Sequence, residues 1–363
     1  LFAANKGGKY VVFSTDEAYY TGKAPADSQR AAALGGPGKL LAEYITRIGN
    51  QLHQRGRKVI IWTEFPLKKE DIKDLPNHII SGVYNHEWAP TIKAHGMRQM
   101  IYTSTQGVEP LFPNYYPLAP KELFKNFPAD NYDEEQQGQL PKGRVGEMLA
   151  DITTAKGASD ADFMGVFVAG WADAGLHPET FWLGYATGAS TGWKSSATTA
   201  AELMAKFYNS FYENDGAMEK VYRLLSTQAE FWGRSWQLRS SNNRVPIFGN
   251  SYQIYPEPKP AKDQTLPPLP VPATPDLSLG SDWNNSNALL LEETENFLQQ
   301  NNVLMNLLQE KISRAAGQTY HLQVLFSVAQ LCRQNLQFLL ALKKINASLQ
   351  LAHQAGSSDP AVA

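Results

Sequence analysis

The chain has 363 residues, 43% hydrophobic and 11% aromatic, so it can bury a sizeable core and is long enough for two or three domains. Its net charge of -2, from 33 basic and 35 acidic residues, lacks the basic excess of a nucleic-acid binder, and no apolar run approaches the ~20 residues of a membrane helix. The single Cys332 excludes an internal disulfide or a cysteine-cluster metal site, and the seven histidines show no H-x-x-x-H or H-E-x-x-H spacing, so no metal or organic cofactor is expected.

Leu1 to Asn5 carry no basic segment of the kind that opens a signal peptide, so any such signal is expected upstream. Residues 9–16 are apolar, β-branched and aromatic before they turn polar, and they predict a buried strand. A loop with Gly22, Pro25, Gly35, Gly36 and Pro37 comes next. Residues 39–54 then predict an amphipathic helix, with Leu40, Leu41, Tyr44, Ile45, Ile48 and Leu52 at helical spacing and Gly56 as its stop. Val59 to Trp62 predict a second strand, which completes a strand–helix–strand unit of the parallel α/β kind.

The pattern continues with a short helix near 68–74, a third strand over 78–84 and a fourth over 99–103. A polar-aromatic loop, a helix over 144–154 and a fifth strand over 163–170 come next. Residues 198–225 predict helix, broken near Asn214-Asp215-Gly216. No glycine-rich phosphate loop follows any strand, so the series predicts the later strands of a (β/α)8 TIM-type barrel rather than a nucleotide-binding doubly wound sheet. Eight prolines between Pro256 and Pro275 predict an extended connector. Two long leucine-rich helices, 286–314 and 319–354 with Gly317 between them, predict a C-terminal α-helical hairpin. The expected division is a partial barrel over 1–245, a proline-rich connector over 246–285, the hairpin over 286–354 and a disordered tail over 355–363. With five strands where closure takes eight, the barrel is expected to be incomplete without a preceding segment.

The carboxylates Asp16 and Glu17 stand at the C-terminal end of the first strand, which in a (β/α) barrel faces the active site. Adjacent carboxylates repel, which raises one pKa and lets that group stay an acid near neutral pH. The same dipeptide also serves as a turn or a helix cap. Trp62, Tyr84 and Trp171 close the second, third and fifth strands, and aromatic faces at strand ends suit the C–H face of a pyranose ring. Asp173 and Glu179 in the last loop are candidates to accept hydrogen bonds from sugar hydroxyls, with Glu64 a lesser one. Tyr115 and Tyr116 are candidate phenolic donors.

Together, Tyr10 to Glu17, the helix from 39, the strand Lys58 to Glu64 and Trp171-Ala172-Asp173 resemble the later barrel of glycoside hydrolase family 20, the β-N-acetylhexosaminidases. The resemblance spans roughly residues 8–185. It implies removal of terminal β-linked N-acetylhexosamine with retention, the substrate's own 2-acetamido group being the nucleophile. Glu17 would be the general acid/base and Asp16 would orient the acetamido group. Trp62 and Trp171 would wall the sugar, Asp173 would replace the family's Glu, and Tyr115 or Tyr116 would hold the acetamido oxygen. Val12-Phe13-Ser14-Thr15 stands where the family carries His-x-Gly-Gly. The resemblance also implies an extracellular or periplasmic location. Two other readings stay open: a barrel glycosidase with a carboxylate nucleophile, and a non-catalytic carbohydrate-binding or scaffold protein that forms homo-oligomers through the helical hairpin.

Overall fold

The computed structural model describes residues 6–105, 116–117, 143–171, 177–193, 198–213, 216–235, 282–315 and 317–356. Five strands form one parallel sheet: β1 (Tyr10–Phe13), β2 (Lys58–Ile61), β3 (Ile80–Ser81), β4 (Arg98–Ser104) and β5 (Phe163–Ala169). Each strand pairs with the next one in the chain, in the order β1-β2-β3-β4-β5. Tyr10 lies opposite Lys58, Ile60 opposite Ile80, Ile80 opposite Arg98, and Ile101 opposite Val166. A doubly wound sheet reverses direction at a switch point, and this order has none. The result is a five-stranded parallel half-barrel sheet in which β1 and β5 have one strand neighbour each among the described residues.

Helices cover the outer face. They are α1 (Pro25–Leu34) and α2 (Pro37–Gln54) after β1, α3 (Ala89–Ala94) after β3, α4 (Gly143–Gly157) after β4 and α5 (Trp182–Trp193) after β5. A 3-10 turn, Lys69–Asp74, follows β2. Leu41, Ala42 and Ile45 of α2 bury against Val59 and Ile61 of β2, while Ile152 and Ala155 of α4 bury against Ile101 of β4. By the period-2 alternation of strands, Val12, Ile60, Tyr102 and Phe167 therefore belong to the opposite, inner face.

Three of these helices, α1, α3 and α5, are not expected from sequence, and two of them show why. The predicted loop with Gly22, Pro25, Gly35, Gly36 and Pro37 contains α1, which opens on Pro25 and ends at Gly35 in the left-handed region (φ 102°). The amides of Gly35 and Gly36 bond back to the Ala31 carbonyl there. Of its ten residues only Ala31 is buried, so α1 has no apolar stripe to reveal it. The other is α5, rich in Gly and Thr, which propensity disfavours. It is selected by fit. Added Cβ atoms would meet Thr105 at Gly184, Val168 at Gly188 and Val166 at Gly192, so the missing side chains let α5 lie directly on β5. Four residues of helix advance ~6 Å and two of strand ~6.6 Å, so the glycine stripe keeps step with alternate strand residues. The third strand is shorter than the expected 78–84, although the Gly82 amide still donates to the Ile61 carbonyl at 2.7 Å.

Beyond the sheet come α6 (Ala200–Phe211), α7 (Ala217–Ser235), α8 (Trp283–Ser286), α9 (Ala288–Arg314) and α10 (Thr319–Gly356). A reciprocal capping box opens α6, with Thr199 accepting from the Glu202 amide and Glu202 from the Thr199 amide. One apolar face of α9 and of α10 packs within the chain, while Val303, Leu331, Phe338 and Ile345 stay exposed. Leu304, Leu308, Leu322 and Leu325 share one core with Phe207 of α6, Tyr222 of α7, Leu183 of α5 and Val145 of α4. Asn301 donates to the Ala329 carbonyl at 2.9 Å, Asn335 to Ser235 at 2.8 Å, and Lys343 to Glu295 at 2.8 Å. Among the described residues no helix is long and apolar enough to cross a membrane. The expected connector, apart from 282–285, and the expected tail, apart from 355–356, lie outside the described residues.

Candidate functional site

The site is built where β1 and β2 end. Thr15, buried just beyond β1, donates its hydroxyl to the Trp62 carbonyl at 2.8 Å and accepts from the Trp62 amide at 3.0 Å. This clamp locks the two strand ends together and fixes the start of the loop that leaves each of them. After Thr15 come Asp16 and Glu17, and two residues beyond Trp62 comes Glu64. Glu17 adopts φ 48°, a left-handed conformation costing an L residue on the order of 1–3 kcal/mol. In that conformation its amide donates to Glu64 Oε1 at 3.3 Å. The Asp16 carboxyl lies beside that of Glu64 and acts on it. All three side chains are half-buried.

The raised carboxyl is therefore Glu64, pushed up to about 7. Burial is the largest cause, followed by the hydrogen bond and negative charge of Asp16, while the Glu17 amide pulls in the opposite direction. From sequence, the repulsion is expected between the neighbours Asp16 and Glu17. The fold adds a carboxyl from the next strand and sets it beside Asp16.

Aromatic rings line the inner face beside these carboxyls. The Trp62 ring meets Tyr102 and Phe167 edge-on, each at 5.2 Å between centroids. The Trp171 indole donates to the Tyr102 hydroxyl at 2.6 Å. Trp62 is only 8% exposed, so its ring forms a packed floor, and Gly82 leaves it room. Trp171 is half-buried at the end of β5. At the rim, Tyr19 stacks on the exposed ring of Phe65 at 5.5 Å.

Several expected residues go elsewhere. Tyr84 donates to Asp160 at 3.1 Å and packs edge-on against Phe163, beside Ile101, Ile152 and Ala155 on the helix side of the sheet. Tyr116 is fully buried in the helical core, its hydroxyl donating to the Thr180 carbonyl at 2.8 Å. Burial holds that phenol well above its ordinary pKa, which fits a packed hydrogen-bond donor and not a group reaching a sugar. Glu179 accepts from the Trp182 indole at 2.9 Å and faces Nδ1 of the buried His321 of α10 at 3.3 Å. His321 Nε2 in turn meets the Tyr212 hydroxyl at 2.6 Å. Glu179 thus joins the β5 loop to the C-terminal helices. Tyr115 and Asp173 lie outside the described residues.

Tyr102 and Phe167 were not singled out from sequence, yet both pack on Trp62, and Tyr102 ties it to Trp171. Their signal is the strand parity they share with residues 60 and 62 once the strands are paired. Among the described residues no three His, Cys, Asp or Glu side chains converge as metal ligands would. Comparison with models of known protein families and with curated proteins returns no match for this chain.

Proposed function

We propose that this chain is the later part of a TIM-type barrel glycosidase that removes terminal β-linked N-acetylhexosamine with retention. In this reading Glu17 protonates the leaving oxygen and later activates water. Asp16 accepts the acetamide N–H and steadies the cyclising nucleophile. Trp171, on its Tyr102 support, offers an aromatic face to the sugar, and Asp173 accepts from its hydroxyls. The acetamido oxygen falls to Tyr115, because Tyr116 is committed to the Thr180 carbonyl. In this reading the half-barrel continues into further strands beyond β1 and β5, and α9 and α10 form an antiparallel hairpin docked on α6 and α7.

The observation that carries this reading is the meeting of Asp16, the Glu17 amide and Glu64 at two adjoining strand ends, beside a wall of inner-face aromatics. The test uses an aryl β-N-acetylglucosaminide and its non-acetylated counterpart. Hydrolysis of the first only, lowered ~10²–10⁴-fold by Glu17→Gln, is the expected result. Asp16→Asn should impair the acetylated substrate far more than any other. Equal turnover of both substrates would favour the conventional nucleophile. Sugar binding without turnover would favour the non-catalytic reading, and a concentration-dependent assembly lost with α9 and α10 would add the homo-oligomer.

A further inference from the structure

We propose that Glu64 is a positioning residue: its carboxyl bridges the Asp16 side chain and the Glu17 backbone amide and so sets the direction of both catalytic carboxyls. This deepens the glycosidase reading and rests on it. Glu64 reaches both partners because the Thr15–Trp62 clamp brings the two strand ends into contact. Its Oε1 accepts from the Glu17 amide, which the left-handed φ of Glu17 turns toward it. The Asp16 carboxyl lies beside it on the other side, close enough to raise its pKa, and completes the bridge we propose. Two carboxyl groups can share a hydrogen bond only if one of them carries a proton. The charged groups acting on Glu64 are Asp16 and Glu17, both acidic, and together with burial they keep the proton on Glu64 up to about pH 7.

The chemical consequence is directional. With one oxygen of Asp16 engaged by Glu64, the other is left to accept an acetamide N–H. The same bridge holds the Glu17 backbone in its strained conformation, from which the Glu17 side chain is aimed. Loss of the proton above pH 7 leaves Asp16 and Glu64 as facing carboxylates, which repel. A displacement of ~1 Å at such a site can lower the rate ~10²-fold.

The experiment compares the full chain with Glu64→Gln and Glu64→Leu. A Gln carboxamide keeps both bonds, donating N–H to Asp16 and accepting from the Glu17 amide, but it cannot titrate. Glu64→Gln should therefore keep kcat within about threefold of wild type and lose the ionisation near pH 7 that limits activity on the alkaline side. Glu64→Leu, with unchanged circular dichroism, should lose at least ~10-fold in kcat because the bridge is gone. Independently of turnover, carboxyl 13C NMR on glutamate-labelled protein should show one resonance titrating near pH 7 in the wild type and none there in Glu64→Gln. An active wild type with no such resonance, or a Gln variant as damaged as the Leu variant, overturns the proposal and leaves the glycosidase reading standing. The resonance in a wild type that hydrolyses no acetamido glycoside keeps the bridge as a structural feature and overturns its catalytic role along with that reading.

Discussion

Replacing Gly184 with Ala tests whether α5 lies on the sheet by direct backbone approach. On an exposed helix this change stabilises by ~1 kcal/mol, the propensity difference between Ala and Gly. Here the new Cβ would stand 2.6 Å from Thr105 Cβ and 2.7 Å from Thr105 Cα. A backbone atom cannot rotate away, and Thr105 is fixed by its amide bond to the Ala169 carbonyl at 2.8 Å. Helix and sheet must therefore move apart, and overpacking of this kind costs ~1–3 kcal/mol. That cancels or exceeds the propensity gain, for a net loss of up to about 2 kcal/mol. Gly157 is the matched control. It ends α4 and is exposed, and nothing lies within 4 Å of its would-be Cβ. Gly157→Ala should be neutral or stabilise by up to ~1 kcal/mol. Thermal and urea unfolding followed by circular dichroism measure both. A Gly184→Ala protein as stable as Gly157→Ala would show that α5 does not make this contact.

Three further outcomes are expected. The folded-state pKa of Glu64, about 7, lies above the ordinary glutamate value of 4.5, so its contribution to stability is full below pH 4.5 and is lost as pH rises to 7. Partial solvent access reduces it to ~1–2 kcal/mol, and urea midpoints at pH 4.5 and 7.5 should reveal it as a wild-type loss absent from Glu64→Gln. Tyr212→Phe leaves the buried His321 Nε2 without its 2.6 Å partner and should cost ~1–3 kcal/mol, measured by chemical denaturation; an unchanged midpoint would remove the Glu179–His321–Tyr212 chain as a structural tie. Leu308→Ala opens a cavity in the core shared by α9, α10, α6 and α7 and should destabilise the whole unit by ~2–5 kcal/mol in one transition, whereas a separate low-temperature transition would mean that α9 and α10 unfold on their own.

Much of the architecture was written locally. Apolar, β-branched runs such as Val59 to Ile61 specify buried parallel strands in any context, and the stripe Leu41, Ala42, Ile45 specifies a helix covering one side of them. Their alternation predicts a parallel sheet, and the pairing β1-β2-β3-β4-β5 keeps that order. The carboxylates of the candidate site were legible for the same reason, since strand ends can be located without knowing the partners. Period and propensity carry no information on α1 and α5. One is exposed nearly all round, and the other is held by close contact at three glycines.

Tertiary structure decided which side chains meet. Glu64 lies 48 positions from Asp16 in sequence, and the Thr15–Trp62 clamp between paired strand ends brings it to the Glu17 amide and beside Asp16. Tyr84 and Tyr116 share the composition of site residues but fall on the helix side of the sheet and in the helical core, where Asp160 and the Thr180 carbonyl satisfy their hydroxyls. Glu179 turns to His321, 142 positions away, because α10 packs over the turn that carries it. A single chain encodes the spacing of residues along itself. The direction in which each side chain points is set by strand pairing and helix packing, which bring together residues far apart in sequence.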